Sequence, residues 1–351
     1  MPLASSLTVA YYHFYNAMPS LTNQEYTVGW ICALPAEMAA ARVMLDEIHG
    51  KPVEQHPSDQ NNYLLGSIGP HSIVIACLPA GIYGTTSAAT VAAHMLSSFK
   101  SIRIGLMVGI GGGIPSKDCD IRLGDVVVSK PDKAFGGVAQ YDFGKTGAEG
   151  QFTRTGSLNK PPLVLLNAIA KLQAEHEVED SKIPQFLSEV LLKHKKMQAD
   201  YSHQGVSNDR LYEAEYEHED DDDDMCESCD VNKVMRRPDR NTSDPFIHYG
   251  VIASGNQVIK HGVTRDRLRK ELGVICFEME AAGLMDNFPC LVIRGICDYA
   301  DSHKKKRWQP YAAATAAAYA KELLSIIPTQ EIDATKEALE AFQISRGASS
   351  A

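Results

Sequence analysis

The sequence has no apolar run long enough to cross a bilayer and no excess of positive charge. Its 351 residues carry 44 acidic side chains against 34 Lys and Arg, for a formal net charge of −10. A membrane-spanning helix needs about 20 apolar residues in a row, and a nucleic-acid binder needs a basic surface. The N-terminal segment also lacks the basic start of a signal peptide. These absences predict a cytoplasmic protein that binds neither membrane nor nucleic acid.

Several common catalytic motifs are missing as well. There is no Walker A lysine pattern, no nucleophile elbow and no His-Glu-x-x-His. The glycine cluster at residues 109–113 fails the dinucleotide fingerprint, because Ile114 stands at the third glycine position and Pro115 follows it. Neighbouring glycines do allow close backbone approach by a flat ligand or an anion. Ile110, Gly111 and Gly112 are therefore candidate binding residues, and no cofactor is expected.

The cysteines fall into two groups. Most of the eight lie inside apolar, strand-like segments, which is typical of free thiols in a reducing compartment. Cys226 and Cys229 lie instead in a polar, acidic segment at about 198–244, which is too poor in apolar residues to fold alone and is predicted to be a mobile insertion. With His218 or His248 they could bind zinc, but no second Cys/His pair stands at zinc-finger spacing. A loop without metal is therefore the favoured interpretation.

Apolar strand patterns alternate with helical patterns between residues 26 and 328. Strands are predicted at 27–34, on both sides of Gly69-Pro70, near 104–109 and 124–129, and at 247–255 and 290–297. Helices are predicted from residue 35, over 85–96, 162–175 and 183–197, and over 277–287 and 311–327. The alternation indicates an α/β protein, a three-layer α/β/α sandwich around a central mixed sheet. Residues 1–25 are predicted to be an N-terminal extension, and 329–351 a C-terminal tail or linker.

Three predicted strand ends deliver acidic side chains. They are Glu37 after the first strand, Glu278 and Glu280 in a later segment, and Asp298 after the last strand. A single acid at such a position is usually a helix cap. In α/β proteins, however, ligand sites collect where strands end. The three acidic ends together predict a catalytic constellation.

Six short motifs occur in a definite order along the chain. They are ALPAEM (33–38), GIGGG (109–113), LGDVVVS (123–129), ASGNQVI (253–259), FEMEAAG (277–283) and RGICDYAD (294–301). In order and approximate spacing they resemble the nucleoside phosphorylase/nucleosidase superfamily. The closest resemblance is to its methylthioadenosine/S-adenosylhomocysteine nucleosidase branch and to fungal multidomain relatives. It covers about residues 26 to 328 apart from the acidic insertion, and it implies a homo-oligomer.

The resemblance implies cleavage of the N-glycosidic bond of purine nucleosides through an oxocarbenium-like transition state. Asp298 matches the acid that protonates or hydrogen-bonds purine N7, a role that needs a raised pKa. Glu37 matches the carboxylate that activates water. Glu280 matches the residue that binds the ribose 2′ and 3′ hydroxyls. The implied partner is a small purine nucleoside or nucleotide.

Further positions match or depart from the family pattern. Met279 matches a residue beside the sugar, Arg294 an arginine near it, and Val258 and Ile259 a segment whose backbone reads the base. Ile110 stands where hydrolases usually have Ser, and Met107 where hexameric phosphorylases have a phosphate-binding Arg. Because the nucleosidase carboxylate is retained and the phosphate site is incomplete, hydrolysis is favoured over phosphorolysis.

A basic run, residues 304–307, follows Asp298 closely. Such a run is commonly a solvated turn. Alternatively, Lys304, Lys306 and Arg307 bind phosphates on the ribose 5′ side. A second basic wall is predicted from Lys260, His261, Arg265 and Arg267.

The basic run leads to a hypothesis about substrate. Relatives in bacterial defence systems and fungal immune receptors resemble ATP nucleosidases. The hypothesis is hydrolysis of adenine nucleotides, ATP foremost, to adenine and ribose 5′-triphosphate. The alternatives are a purine nucleoside phosphorylase, a methylthioadenosine-type nucleosidase, and a ligand-sensing module of a multidomain immune receptor.

Overall fold

The computed structural model describes residues 21–132, 134–219, 226, 228–304 and 306–340. Lys305 and the aspartates at 220–224 lie outside these residues. The strands are β1 (Val28–Cys32), β2 (Glu47–Ile48), β3 (Tyr63–Ile68), β4 (His71–Cys77), β5 (Ile104–Gly113), β6 (Val126–Ser129), β7 (Val138–Gln140), β8 (Gly144–Thr146), β9 (Phe152–Arg154), β10 (Ile247–Ser254), β11 (Val274–Glu278) and β12 (Cys290–Asp298). The helices are α1 (Pro35–Met44), α2 (Thr85–Ser98), α3 (Leu163–His176), α4 (Ile183–Lys193), α5 (Gly262–Leu272), α6 (Gln309–Ser325) and α7 (Thr329–Asp333).

Ten of these strands form one mixed sheet in the described part of the chain. Its order is β11-β10-β6-β12-β5-β1-β4-β3-β2, with β7 beside β10, while β8 and β9 form a separate pair. Strand β5 runs parallel to β1 and β12, and β12 runs antiparallel to β6. Strand β11 also pairs with β5, opposite Gly112 and Gly113. This extra pairing brings the end of β11 next to the glycine cluster.

The central strands are apolar throughout because both faces of the sheet are covered. In β1, Val28 and Trp30 face one hydrophobic layer while Ile31 faces the other. Helices α1, α3, α4 and α6 contribute to the first layer, and α2 to the second. Helix α6 approaches β12 closely, since a side chain at Gly295 would overlap the carbonyl oxygen of Ala312. The predicted three-layer α/β sandwich with a mixed sheet is confirmed.

Two predicted local elements are wrong, and one helix was not predicted. The strand predicted near 104–109 continues through the glycines to Gly113, and the predicted helix at 277–287 is the end of β11 followed by a 3-10 turn at Ala281–Gly283. The spacing of its apolar residues fits a helix, but long-range pairing with β5 and β10 holds the first part extended. Helix α5 was not predicted, because its charged sequence has little apolar periodicity. The side chain of His261 caps it by accepting the amide N–H of Thr264.

The acidic insertion is anchored to the domain through its arginines. The Arg237 Nη1 atom donates to the Tyr299 hydroxyl of the main domain at 2.9 Å, while its Nη2 atom lies 3.0 Å from Asp209 of the insertion itself. Both terminal nitrogens of Arg240 bond the buried Asp125 carboxylate, at 2.7 and 2.8 Å. The sequence predicts a mobile segment because few of its residues are apolar. Composition does not show that its cations meet buried acids of the main domain.

The segment predicted to be a C-terminal tail also contacts the domain where it is described. The amide of Ala338 donates to Ile102 at 2.7 Å, and Arg103 donates to the carbonyl of Thr335 at 2.5 Å. Residues 329–340 thus belong to the packed structure, while the exact domain boundaries stay predictions. No helix of the described residues has both the length and the apolar character to cross a membrane.

Candidate active site

A cavity of about 460 Å³ opens at the sheet edge where β1, β5, β11 and β12 bring their predicted site residues together. Because β1, β5 and β12 are parallel, the segments that follow them collect at one edge, as is typical of α/β ligand sites. The predicted residues that line the cavity are Glu37, Ile110, Gly111, Gly112, Val258, Ile259, Glu278, Met279, Glu280, Asp298, Lys304 and Lys306. Arg294 and Arg307 are not among its lining residues.

Glu37 is held by three backbone amides. It lies in the first turn of α1, where one carboxylate oxygen accepts the N–H groups of Ala33 at 2.7 Å and Leu34 at 3.0 Å. The other oxygen accepts the N–H of Ile110 at 2.9 Å. A side chain at Gly109 would overlap this oxygen, so the glycine makes room for the acid. Burial raises the pKa of Glu37, although nearby cationic and amide groups oppose the shift.

Arg294 lies behind the cavity wall. It is 1% exposed, and its Nη2 atom lies 2.5 Å from Glu278 and 3.4 Å from Glu280. Burial lowers the pKa of Arg294, but Glu278, Glu280 and Glu37 more than offset burial, so the pKa is raised. The resemblance implies an arginine near the sugar. In the structure this arginine is the shared counterion of buried acids.

Glu278 and Glu280 are adjacent because the chain turns sharply after β11. The Glu278 carboxylate accepts the backbone N–H of Glu280 at 3.0 Å and that of Ala281 at 2.9 Å. Burial raises the pKa of Glu280 to about 7, and the charge of Glu278 adds to this rise against the opposing effect of Arg294. Glu280 can therefore exchange a proton near neutral pH.

Asp298 forms an ion pair with Lys304 at 3.0 Å. Its other oxygen accepts the N–H of Ala300 at 2.9 Å, and Ala300 has a left-handed backbone with φ of +53°. A Cβ at Gly112 would lie 2.8 Å from that oxygen, so the acid also depends on a glycine of β5. Burial lowers the pKa of Lys304, but Asp298 more than compensates, so the pKa is raised. In the structure, the glycines at 109 and 112 make room for Glu37 and Asp298. The sequence predicts instead that the glycine cluster approaches a ligand or an anion.

The basic run divides between two directions. Lys304 and Lys306 line the cavity, whereas the Arg307 Nε atom donates to Gln204 of the insertion at 2.9 Å. Arg307 is therefore not placed for the predicted contact with a phosphate inside the cavity. Lys306 and Arg307 diverge because they lie in a bend and turn before α6, where neighbouring residues point in different directions.

The predicted second basic wall is reduced to Lys260, which lines the cavity. Arg265 is buried and lies 2.8 Å from Asp266 and 3.5 Å from Asp301. His261 caps α5. Arg267 forms an exposed pair with a glutamate one helical turn further along. Because three of these four side chains are engaged elsewhere, the prediction of a basic wall is wrong for them.

Several other residues that line the cavity were not predicted from the sequence. They are Tyr83, His218, Gln257, Phe277, Ser302 and Gln309. Phe277 and Gln257 lie inside motifs of the family resemblance, and Tyr83 lies in a glycine-rich turn, so weak signals existed for these three. His218 comes from the insertion, far away in sequence. It also lies close to Cys226 and Cys229, and this group could bind a metal ion.

Comparison with known proteins identifies the fold. Over 86% of this chain and 98% of the other, the structure superimposes with a TM-score of 0.54 and 15% identity on a mutant 5′-methylthioadenosine/S-adenosylhomocysteine nucleosidase from Helicobacter pylori, solved with 5′-methylthioadenosine in its active site. The futalosine hydrolase of the same organism gives a TM-score of 0.54 at 16% identity, covering 87% of this chain and 99% of the other. The chain has the nucleoside phosphorylase/nucleosidase fold. The resemblance predicted from the motifs is confirmed.

Two relatives extend this comparison at the sequence level. A nucleotide-binding leucine-rich repeat (NLR)-like protein of Hyaloscypha variabilis is 51% identical over 315 residues, which are 90% of this chain and 30% of that protein. The chain thus spans less than a third of that relative. A 5′-methylthioadenosine/S-adenosylhomocysteine nucleosidase of Mycobacterium bovis is 25% identical over 307 residues, 86% of this chain and 97% of the relative. No protein-family model matches the chain.

Proposed function

We propose that this chain hydrolyses the N-glycosidic bond of adenine nucleotides, with ATP the preferred substrate. The observation that carries the proposal is the meeting of Glu37, Glu280 and Asp298, from three separate strand ends, around one cavity. Its volume of about 460 Å³ falls within the range of small-molecule sites, roughly 300 to 1,000 Å³. Lys304 and Lys306 give one part of it the positive charge that a phosphate requires.

The three acids divide the reaction between them. Glu37 accepts a proton from water as the water oxygen bonds to C1′ and the bond from C1′ to N9 breaks. The bonding electrons pass to the purine, which takes a proton at N7 from Asp298. Glu280 accepts hydrogen bonds from the ribose hydroxyls and stabilises the cationic sugar. One water is consumed, and the products are adenine and ribose 5′-triphosphate.

The ion pair of Asp298 gives the substrate phosphate a further part in this scheme. In the structure the ammonium of Lys304 pairs with Asp298 at 3.0 Å, so the residue that would bind phosphate also contacts the proposed acid. A bound phosphate competes for Lys304 and draws it away. The Asp298 carboxyl is then released from its ion pair and can face the leaving purine. Phosphate recognition and leaving-group activation are thereby coupled through one lysine.

Hydrolysis fits the cavity better than phosphorolysis. Met107, at the position matching a phosphate-binding arginine, is fully buried in the second hydrophobic layer. Inorganic phosphate would also meet the Glu37 carboxylate, which repels an anion and suits water activation. The NLR-like relative supports a further part of the proposal, that this domain acts within a larger immune receptor. A cytoplasmic location and a homo-oligomeric state remain predictions.

The decisive experiment is a substrate panel. ATP, AMP, adenosine, inosine and methylthioadenosine are incubated with the protein, with and without inorganic phosphate, and the released base is measured by chromatography. We expect adenine from ATP without phosphate, together with ribose 5′-triphosphate. Cleavage of methylthioadenosine or adenosine but not ATP would identify a nucleosidase of the methylthioadenosine type, and strict dependence on phosphate would identify a phosphorylase.

A non-enzymatic domain is separated from an enzyme by a matched pair of variants. Asp298→Asn removes the proposed acid, while Glu271→Gln changes an exposed acid on α5 that pairs with Arg267. An enzyme loses base release in the first variant alone. A ligand-sensing module instead binds ATP without releasing adenine, in the wild type as in both variants. Equilibrium binding of ATP, measured beside base release, therefore distinguishes the two functions.

A further inference from the structure

Three potential metal ligands meet at the edge of the cavity, away from the proposed catalytic acids. The ligand atoms of His218, Cys226 and Cys229 all lie within 4.8 Å of one another. Both cysteines are buried, although the segment around them is strongly acidic and polar. They pack with Tyr212 in a small hydrophobic cluster of their own. The backbone of Cys226 is left-handed, with φ of +48°, a conformation that few residues other than glycine adopt.

We propose that His218, Cys226 and Cys229 form a zinc site. Two thiolates and an imidazole are the ligands that zinc takes in structural sites. With Zn–S bonds of about 2.3 Å and Zn–N bonds of about 2.0 Å, tetrahedral ligand atoms lie roughly 3.8 Å apart or less. Since no two of these atoms are more than 4.8 Å apart, the group needs to contract by at most about 1 Å to reach this geometry. Binding releases the protons of both thiols to solvent.

A tetrahedral zinc site has four ligands, and the fourth would come from water or from a neighbouring histidine. The ring of His303 lies 5.4 Å from that of His218, measured between centroids, and stacks on Tyr212 at 3.9 Å. Soft thiolate ligands favour zinc over magnesium or calcium, which prefer oxygen. Acidic residues on both sides of the cysteines in the sequence also favour a divalent cation over an anion at this position.

The site would connect the insertion to the rim of the cavity. His218 lines the cavity, and its backbone N–H donates to the Ser302 hydroxyl at 2.9 Å. Ser302 lies in the loop between Asp298 and Lys304. Zinc at His218 would therefore hold the insertion against this loop, and its role would be structural. The existence of the site does not depend on the proposed reaction.

Metal content tests the inference directly. The full chain is purified with a reductant from zinc-supplemented cells, and zinc is measured by plasma mass spectrometry. We expect about one zinc per chain in the wild type and almost none in a Cys226→Ser/Cys229→Ser variant. A Cys77→Ser/Cys119→Ser variant is the matched control, since it removes the same number of thiols elsewhere and should keep the metal. Wild-type protein without zinc, or equal zinc in both double variants, would overturn the proposal.

Two measurements on the wild type avoid reliance on variants that could fail to fold. Replacement of zinc by cobalt(II) should produce the charge-transfer absorption of cobalt thiolates and the strong visible bands of a tetrahedral site. Native mass spectrometry should find the chain heavier by one bound zinc ion, and chelation should remove this added mass. An octahedral cobalt spectrum, a chain mass without zinc, or a disulfide between Cys226 and Cys229 under reducing conditions would each contradict a zinc site.

Discussion

Two groups of charged residues at the cavity hold their charges in different ways. The first, the acid wall, comprises the lining acids Glu37, Glu278 and Glu280 and, behind them, Arg294. Its arginine is 1% exposed and serves several carboxylates at once. The second, the lysine rim, comprises Lys260, Lys304 and Lys306, of which Lys304 is 29% exposed and pairs with Asp298 alone among the acids of the described residues. The wall acids are thus held by several partners each, whereas Lys304 has a single anionic partner.

This difference assigns each set of residues a different part of the proposed reaction. Groups that act on the sugar and on water gain from preorganisation, because they spend no energy on reorientation in the transition state. Groups that recognise a phosphate must be able to exchange one anion for another. Lys304, the rim lysine that already pairs with Asp298, is therefore the residue that can link phosphate binding to cleavage of the glycosidic bond. Four predictions test this division.

The largest expected effect comes from breaking the acid wall. Arg294→Met leaves buried carboxylates without their counterion, and removal of one partner of a buried pair costs about 3–5 kcal/mol. We expect the free energy of unfolding, measured in urea, to fall by this amount. Arg267→Met is the control, because its exposed pair with Glu271 is worth about 0.2–1 kcal/mol. Equal losses in the two variants would show that Arg294 does not stabilise the wall.

The second-largest expected effect comes from replacing Asp298, the acid that pairs with Lys304 of the lysine rim. Asp298→Asn keeps the shape of the side chain but cannot donate the proton to the leaving purine. General acid catalysis contributes roughly 10²–10⁴-fold, so kcat for ATP should fall within that range. The measurement is adenine release by chromatography, with thermal unfolding to confirm the fold. Activity within tenfold of the wild type would exclude Asp298 as the proton donor.

The sequence predicted the positions of the acids better than their partners. Glu37 and Asp298 could be located because each directly follows an apolar strand, and strand ends meet at one edge of the sheet. The sequence did not show that Arg294 is buried behind the cavity, because it does not reveal which face of β12 meets the carboxylates of β11. That contact depends on the pairing of β11 with β5, which joins residues far apart in the chain. The same pairing explains why the helix predicted at 277–287 is wrong.

The directions in which charged side chains point in turns and in the insertion could not be predicted from the sequence. Lys306 and Arg307 are neighbours, yet the lysine lines the cavity and the arginine bonds to Gln204. A charge run has no periodicity that distinguishes such residues. In the insertion, Arg240 bonds to Asp125 of the main domain, a contact that composition does not predict. Both outcomes depend on tertiary contacts rather than on local pattern.

The third prediction separates the two proposed roles of Lys304. Lys304→Met removes a charge-assisted contact to phosphate, worth about 1.5–3 kcal/mol, so kcat/KM for ATP should fall roughly 10- to 100-fold. For adenosine, which has no phosphate, kcat/KM should stay the same or rise, because Asp298 is freed from its cation. Lys306→Met is the control for loss of charge at the rim without loss of the Asp298 pair. Equal losses on ATP and adenosine in Lys304→Met would refute phosphate recognition by this lysine.

The smallest expected effect is a pH dependence that distinguishes the wall from the rim. The pKa of Glu280 is raised to about 7 by burial, so the folded protein binds a proton that the unfolded chain releases near its ordinary pKa of 4.5. Stability from this group is therefore complete below about pH 4.5 and is lost as the pH rises through 7. Urea unfolding at pH 5 and pH 8 should show a loss on the order of 1 kcal/mol or more in the wild type.

Glu280→Gln removes this titration and should flatten the decline, while Glu271→Gln should leave it unchanged. Some decline should persist in Glu280→Gln, because the pKa of Glu37 is raised by burial and burial also raises that of Asp301 to about 6. Both act in the same direction as Glu280. An identical decline in the two variants would mean that Glu280 is charged throughout this range. Glu280 would then be ionised before substrate binds, and titration of this residue would not distinguish the acid wall from the lysine rim.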